Sequence, residues 1–160
     1  MSLPEHLVVR PASVADEDAL CAVLYDTFEH TWLPNVTPAA AEAFRRENRP
    51  GAYVAQRGPE FWVAERNGEV VGLIDWEEDF VNALHVRLRH ARTGVGAALL
   101  AMAESAIARR GFAAARLETD TFNAISQRFY AGRGYVEVDR YPDLEWDSGL
   151  TTVLLVKSLR

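Results

Sequence analysis

The chain is organised around Ala83-Leu-His-Val-Arg-Leu-Arg-His-Ala-Arg-Thr-Gly-Val-Gly-Ala-Ala-Leu-Leu100. The pattern of this stretch predicts a short apolar strand, a polar turn, and a helix that begins at the glycine pair Gly94 and Gly96. The first N–H groups of a helix have no partner within it, and the peptide dipoles place partial positive charge at that end. Because glycine lets the backbone approach an anion closely, the stretch predicts a site for a phosphate-bearing small molecule.

The composition is that of one ordinary globular domain, residues 1–160. Hydrophobic residues make up 49% of the chain, charged residues 25%, and the formal net charge is −6. A general nucleic-acid or anionic-membrane surface needs concentrated lysine and arginine, so we expect neither partner. No apolar run approaches the roughly 20 residues that span a bilayer, so no membrane segment is expected either.

Cysteine and histidine usage argues against a metal site and against a disulfide. Cys21 is the single cysteine, and the four histidines lack the paired spacing of a metal-binding motif. One free cysteine suits a reducing compartment, and the first residues lack a basic segment followed by an apolar run. A cytoplasmic location is therefore expected.

Hydrophobic periodicity predicts a mixed α/β domain with the element order β-α-α-β-β-β-α-β-α-β-β. Asn67-Gly68 between two β-rich runs predicts a hairpin within an antiparallel meander over 61–88. In the second half, Asn123 is the predicted cap of a helix that reaches Arg133 and buries Ile125 and Phe129. The other predicted segments are a strand at 7–11, two helices over 16–48, a helix over 94–110, and strands at 113–120, 135–138 and 151–156.

The glycine turn has two other interpretations. A dinucleotide site would need Gly-x-Gly-x-x-Gly, and Leu99 occupies the third glycine position, although Glu118 lies at a distance suited to the ribose acid. The preceding meander also argues against a dinucleotide fold, because that fold is built from parallel βα units. The plainer alternative is a turn that merely lets a helix pack on a strand.

Two segments together resemble the signature of the GNAT superfamily of N-acetyltransferases. They are Ala91-Arg-Thr-Gly94-Val-Gly96, and Asn123 followed seven residues later by Tyr130 and then by Gly134-Tyr135. The resemblance covers nearly all of the chain. It implies an acetyl-CoA-dependent N-acetyltransferase with a largely antiparallel central sheet that is splayed between its fourth and fifth strands.

The resemblance also implies which residues bind acetyl-CoA. The pyrophosphate would lie on the glycine turn, and the pantetheine would pair with the backbone of the preceding strand. The implied cofactor-binding residues are Leu84, His85, Val86, Arg92, Thr93, Gly94, Val95, Gly96, Ala97, Asn123 and Tyr130. The sequence departs from the family pattern at Ala91, where the family has arginine or glutamine, and we expect Arg89 or Arg92 to supply the missing cation.

Acetyl transfer by direct attack of an amine on the thioester needs a base, a polarised carbonyl and a proton for the leaving thiolate. By resemblance, Tyr130 is the predicted general acid and Glu118 the predicted base. The sequence leaves two alternatives for the base, His85 and an ordered water.

The acceptor is expected to be a primary amine of a small molecule or a peptide N-terminus. Trp32, Trp76 and Glu78, with the loop over 141–146, are the predicted acceptor-binding residues, because aromatic and acidic side chains suit a cation with an apolar body. The alternative is that these segments are solvated turns whose tryptophans fold back into the core.

Two further hypotheses remain. A non-catalytic acyl-CoA-binding or sensing domain of the same fold would bind CoA without turnover, and Ala91 keeps that hypothesis open. The last strand, 151–156, is expected to be an exposed apolar edge that could pair in a homodimer.

Overall fold

In the computed structural model, residues 6–143 and 148–160 are described, and they form a sheet covered by helices on both faces. The strands are β1 (Leu7–Pro11), β2 (Trp62–Arg66), β3 (Glu69–Glu77), β4 (Phe80–Val86), β5 (Ala114–Asp120), β6 (Val136–Pro142) and β7 (Thr151–Ser158). The α-helices are α1 (Glu17–Thr27), α2 (Pro38–Arg46), α3 (Arg49–Arg57), α4 (Val95–Arg109) and α5 (Ala124–Ala131). A π-helical turn, Phe28–Trp32, continues α1.

The seven strands form one sheet in the order β1-β2-β3-β4-β5-β7-β6. All neighbouring pairs are antiparallel except β4 and β5, which are parallel. That parallel pairing is short, because it joins only Phe80 to Arg116 and Val81 to Leu117. Beyond these residues the two strands separate, so the predicted mixed sheet with a central splay is confirmed.

Two hydrophobic clusters pack on the two sheet faces. Leu99, Ala103 and Ile107 of α4 lie on one face with the sheet residues Ile74 and Val81. On the other face, α1 and α3 pack over a second group of sheet residues. That cluster contains Leu20, Val23, Leu24, Val54, Phe61, Val63, Val70, Leu73 and Ala83.

Gly72 of β3 lets α4 lie close to the sheet. A Cβ at this position would be 3.0 Å from the His85 carbonyl oxygen and 3.0 Å from Cγ1 of Val95. Val95 is the first residue of α4, so the absence of a side chain at Gly72 helps to fix where that helix begins.

The sequence prediction lacked helix α3. The predicted helices end at residue 48, but Arg49-Pro50-Gly51 begin a further helix. Asn48 adopts a left-handed conformation with φ 47°, and its side chain accepts a hydrogen bond from the N–H of Gly51. Proline is compatible with the first helical turn, where its missing N–H would have no partner in any case.

A buried carboxylate anchors α3 to the sheet. Asp75 of β3 is fully buried, and it accepts hydrogen bonds from the Tyr53 hydroxyl at 2.7 Å and from Arg57 Nη2 at 2.8 Å. Asn82 of β4 donates to the same carboxylate at 3.1 Å. Burial and the neighbouring Asp75 raise the pKa of Tyr53, so that phenol stays protonated and donates.

The prediction that the last strand is an edge of the sheet is wrong. β7 pairs with β5 along one side and with β6 along the other, so it lies inside the sheet. The edge is β6, on which Val136 and Val138 are exposed and a register shift occurs between Glu137 and Asp139. A bulge of this kind is a common way to disfavour pairing at an edge.

None of the described helices is long and apolar enough to cross a membrane.

Candidate active site

A cleft of about 1200 Å³ opens where β4 and β5 separate. Its walls come from the end of α1 and the π-helical turn, from β4 and β5, from the turn before α4, and from α5. The cleft therefore passes between the two middle strands of the sheet, with the α4 N-terminus at one end and the π-helical turn at the other.

The glycine turn forms the first end of the cleft. Gly94 is the N-cap of α4 with φ 91°, a conformation that favours glycine, and Arg92 is also left-handed with φ 62°. Arg92, Gly94, Gly96 and Ala97 all line the cleft. The free N–H groups of the first helical turn thus lie at a cavity wall, as an anion site requires.

Thr93 and Val95 do not line the cleft. The Thr93 hydroxyl donates to the His90 carbonyl at 2.6 Å and accepts from Arg66, which turns its side chain away. Val95 is 1% exposed and belongs to the core beneath α4. Any part these two residues play in binding would come from their backbone.

Ala91 provides no positive charge at the position where the family has arginine or glutamine. The structure offers further arginines for this role besides those predicted from the sequence. Arg89 does not line the cleft and pairs with Glu69 of β3. Arg92 does line it, as do Arg128 and Arg133 of α5 and its C-terminal turn. Arg133 lies over the Phe129 ring at 4.1 Å from the centroid, which holds the guanidinium beside the cleft wall.

The predicted pantetheine strand forms one long wall. Leu84, His85 and Val86 line the cleft on the side of β4 that faces away from β3. Since β4 pairs with β5 only at Phe80 and Val81, the backbone of this segment has no strand partner on that side among residues 6–143 and 148–160.

Asn123 and Tyr130 both line the cleft from α5. Asn123 caps the helix, as predicted, by accepting a hydrogen bond from the Ser126 N–H at 3.1 Å. Tyr130 is 7% exposed, and burial raises its pKa to about 12, against a smaller opposing effect of the Ser126 hydroxyl. Its phenol is therefore protonated at neutral pH.

The predicted buried face of α5 is partly wrong. Ile125 was expected in the core but is 59% exposed and lines the cleft, whereas Tyr130 packs in the core cluster of α4. Compared with the prediction, the helix is rotated about its axis. Ile125 and Arg128 border the cleft, and Tyr130 lines it from the side of the core.

Glu118 of β5 lies on the cleft with an exposed side chain. Its carboxylate accepts a hydrogen bond from the Tyr141 hydroxyl. Burial raises the pKa of Tyr141 to about 12, and the Glu118 carboxylate adds to that rise.

The second end of the cleft is formed around Trp32. Its indole Nε1 donates to Asp120 Oδ2 at 2.8 Å, and its ring lies 5.6 Å from that of His85. Asp120 is on β5 and His85 is on β4, so Trp32 bridges the separated strands. Burial raises the pKa of Asp120, with smaller contributions from the charges of Asp143 and Glu118.

The other predicted acceptor residues are elsewhere. Trp76 packs against Trp62, with ring centroids 6.4 Å apart, and is not on the cleft. Glu78 is exposed in the turn between β3 and β4, with φ 53°. Within the predicted loop over 141–146, residues 144–146 lie outside the described part of the chain.

His85 is partly buried and faces α1, and its ring is neutral. Its Nδ1 lies 2.8 Å from the Thr27 hydroxyl oxygen, and burial lowers its pKa to about 4. His85 is therefore a weaker base than a histidine with an ordinary pKa would be.

The sequence analysis missed several residues of the cleft. Arg128 lies one helical turn from Ile125, and this spacing could have indicated a shared face once the direction of α5 was known. Asp120 shares the side of Glu118 on β5 by alternation. No local pattern could have indicated Thr27, because it reaches His85 across a sequence separation of 58 residues.

Comparison with known proteins agrees with this geometry. The model of the acetyltransferase (GNAT) family matches residues 20–135. No curated protein sequence matches the chain. Among solved structures, a GCN5-related N-acetyltransferase from Rhodopseudomonas palustris is similar with a TM-score of 0.82 and 20% identity, over 99% of both chains.

Two other solved structures are similar over most of their length. PaiA N-acetyltransferase from Thermoplasma acidophilum, in complex with coenzyme A, has a TM-score of 0.75 and 18% identity over 99% of both chains. A ribosomal-protein-alanine N-acetyltransferase from Brucella melitensis has a TM-score of 0.71 and 22% identity, over 94% of this chain and 99% of the other. These likenesses show a shared fold.

Proposed function

The chain belongs to the acetyltransferase (GNAT) family, and we propose that it transfers the acetyl group of acetyl-CoA to a primary amine of a small molecule or of a peptide N-terminus. The observation that carries the proposal is the cleft between β4 and β5. A free strand edge, a glycine turn at a helix N-terminus and a protonated tyrosine line the same cavity.

The residues of the cleft fit acetyl-CoA. The N–H groups at Gly94 and Gly96 suit a pyrophosphate, with Arg92, Arg128 and Arg133 as neighbouring cations. The unpaired backbone of Leu84, His85 and Val86 suits the amide groups of a pantetheine arm. Asn123 would border the arm from the opposite wall.

When bound, acetyl-CoA supplies an activated acetyl group on a thiolate leaving group. In the overall reaction a C–N bond forms and a C–S bond breaks, while one proton leaves the amine and one reaches the thiolate sulfur. Tyr130 is suited to give that proton because its hydroxyl oxygen stays protonated. Glu118, which lines the same cleft, would take a proton of the amine directly or through a water.

The relatives support this proposal in two ways. One structurally similar protein is known in complex with coenzyme A, and another acts on a ribosomal-protein alanine. Both an acyl-CoA donor and a peptide N-terminal acceptor are therefore compatible with this fold.

The experiment is a thiol-release assay with acetyl-CoA and a panel that contains 2-phenylethylamine, a linear diamine and an alanine-initiated peptide. We expect amine-dependent release of CoA by the wild-type chain. Tyr130→Phe should lower kcat by about 10²-fold or more, the usual effect of removing a general acid, with little change in acetyl-CoA affinity.

Tyr25→Phe is the matched control, because the Tyr25 hydroxyl bonds to Asn48 and does not line the cleft. Binding of acetyl-CoA without thiol release on the whole panel would favour the non-catalytic acyl-CoA-binding domain. Equal losses of affinity and kcat in Tyr130→Phe would remove this tyrosine from the role of acid.

A further inference from the structure

Two hydrogen-bond acceptors without donors lie at the Trp32 end of the cleft. They are Nε2 of His85 and Oδ1 of Asp120, and neither has a hydrogen-bond partner among the described residues. Neither atom belongs to the buried polar atoms that lack a partner, so both remain accessible. Both residues line the cleft.

The Thr27 hydroxyl determines which nitrogen of His85 carries the proton. Thr27 Oγ1 donates to the Leu24 carbonyl at 3.1 Å, and a hydroxyl has a single hydrogen to give. A helical threonine commonly bonds to the carbonyl three residues earlier, and with its hydrogen directed there Oγ1 accepts from His85 Nδ1–H at 2.8 Å. A neutral imidazole has one N–H, so in this arrangement Nε2 carries the lone pair; a hydroxyl that donated to Nδ1 would reverse the two nitrogens.

Asp120 has one oxygen bound and one available. Trp32 Nε1–H satisfies Oδ2, and the same indole ring packs beside His85. Trp32 thereby holds the two acceptors, from β4 and from β5, at one end of the cleft.

We propose that His85 Nε2 and Asp120 Oδ1 accept the two N–H bonds of a primary amine, and that Thr27 and Trp32 are the positioning residues for this pair. The amine enters as an ammonium ion with three N–H bonds. Once Glu118 has taken one proton, the two remaining hydrogens are donated to His85 and Asp120, and the nitrogen lone pair is free for attack. A secondary amine has one N–H to offer, so one acceptor would be left unpaired in a desolvated site, which is costly. The inference rests on the proposed function and identifies the residues that would recognise its primary amine.

The first test measures the tautomer of His85 in the free protein. Long-range 1H–15N correlations of the imidazole rings, assigned with His85→Gln, should show a protonated Nδ1 and an unprotonated Nε2. Thr27→Val should abolish this preference, and Thr27→Ser, which keeps the hydroxyl, should retain it. A protonated Nε2 in the wild-type chain would overturn the inference whatever the activity.

The second test uses the amine of the panel that releases thiol, paired with its N-methyl derivative. We expect the wild-type chain to prefer the primary amine by about tenfold or more in kcat/KM, the effect of one lost hydrogen bond in a polar site. Thr27→Val should raise the KM for the amine and narrow this preference, with the KM for acetyl-CoA unchanged. Thr27→Ser should behave as the wild type.

The two proposals fail in different ways. A preference for the primary amine that Thr27→Val leaves intact would overturn the inference about His85, while the acetyltransferase activity would stand. Absence of thiol release with every amine would contradict the proposed function, and the NMR result would still report the tautomer by itself.

Discussion

At the scale of single residues, the cleft depends on side chains whose protonation is set by burial. Tyr130 has a raised pKa and His85 a lowered one, so both are neutral at physiological pH. A neutral phenol can donate, and a neutral imidazole can accept through one nitrogen. Residue type alone suggests that His85 titrates near neutral pH and acts as a base, because an ordinary histidine pKa lies near neutrality.

The raised pKa of Tyr130 predicts a particular alkaline profile. A phenol is protonated below its pKa and loses its proton as the pH rises through that value, here about 12. Between neutral pH and about pH 10, the ordinary tyrosine value, kcat should therefore show no decline that Tyr130→Phe removes. A decline near the ordinary value, present in the wild type and absent in the variant, would contradict the buried environment of this phenol.

Gly72 gives a second residue-scale prediction. Gly72→Ala should destabilise the fold by about 1–3 kcal/mol, the usual cost of overpacking, because the new Cβ would meet the His85 carbonyl and Val95. The KM for acetyl-CoA should also rise, since Val95 begins α4 beside the phosphate turn. Chemical denaturation measures the first effect and thiol release the second.

A suitable control is Gly58→Ala, whose Cβ would meet a single side-chain atom, Val54 Cγ1, at 3.2 Å and no backbone atom within 4 Å. If Gly72→Ala were no less stable than this control, the close approach of α4 to β3 would not contribute to the stability of the fold.

At the scale of elements, the sequence could predict structures that local chemistry determines. The Asn67-Gly68 hairpin formed as expected, with both residues at positive φ, and Asn123 caps α5 as predicted. Helix α3 was missed because Pro50 and Gly51, which usually interrupt a chain, follow an asparagine cap. The position of β7 was missed because strand order is set by long-range pairing that no local pattern encodes.

The attachment of α3 should depend on the ion pair beneath it. Arg57→Ala removes the guanidinium that lies 2.8 Å from the buried Asp75 carboxylate. We expect a loss of about 3 kcal/mol in the free energy of unfolding, because the remaining donors, Tyr53 and Asn82, do not neutralise the charge. Arg46→Ala in α2, whose partner Glu42 is exposed, should cost less than about 1 kcal/mol. Equal losses in the two variants would refute this role of Asp75.

The link between β1 and the start of α1 should make stability depend on pH. Arg10, which donates to Asp16 at 2.8 Å, holds the pKa of this carboxyl down to about 2. A lowered folded-state pKa contributes stability above the unfolded value, and this contribution is lost as the pH falls from about 4 to about 2.

Asp16→Asn should therefore lower stability at neutral pH by about 1 kcal/mol, a modest value because Arg10 is partly exposed. The difference between variant and wild type should shrink in acid. Denaturation midpoints measured across that pH range would show it, and a difference that persists below the folded-state pKa would contradict the assigned cause.

At the scale of the whole molecule, the sequence could predict the cleft but could not predict which residues meet there. The splay followed from the family resemblance, and the glycine turn from helix-end chemistry. The contact between Trp32 and Asp120 joins residues 88 positions apart. Trp76 packs on Trp62, although the acidic residues beside it, Glu77 and Glu78, suggest an acceptor site when the sequence is considered alone. Such contacts depend on how complete elements pack.

Ligand binding in the cleft should stabilise the whole domain. At a CoA concentration about 100 times its Kd, binding adds about 2.7 kcal/mol. For a chain of this size, this corresponds to a rise in Tm of about 5–10 °C. Differential scanning fluorimetry with CoA and with NAD distinguishes the two phosphate ligands. Stabilisation by NAD in place of CoA would reinstate the dinucleotide site.

The short parallel contact between β4 and β5 has a mechanical consequence. Two residue pairs, with the ion pair between Arg116 and Asp79, connect a four-stranded half of the sheet to a three-stranded half. Helix α4 packs on strands of both halves, so the junction is narrow only in the hydrogen bonds of the sheet itself. A ligand arm that pairs with the free edge of β4 would add hydrogen bonds along this line, so each round of catalysis would strengthen the junction and then release it.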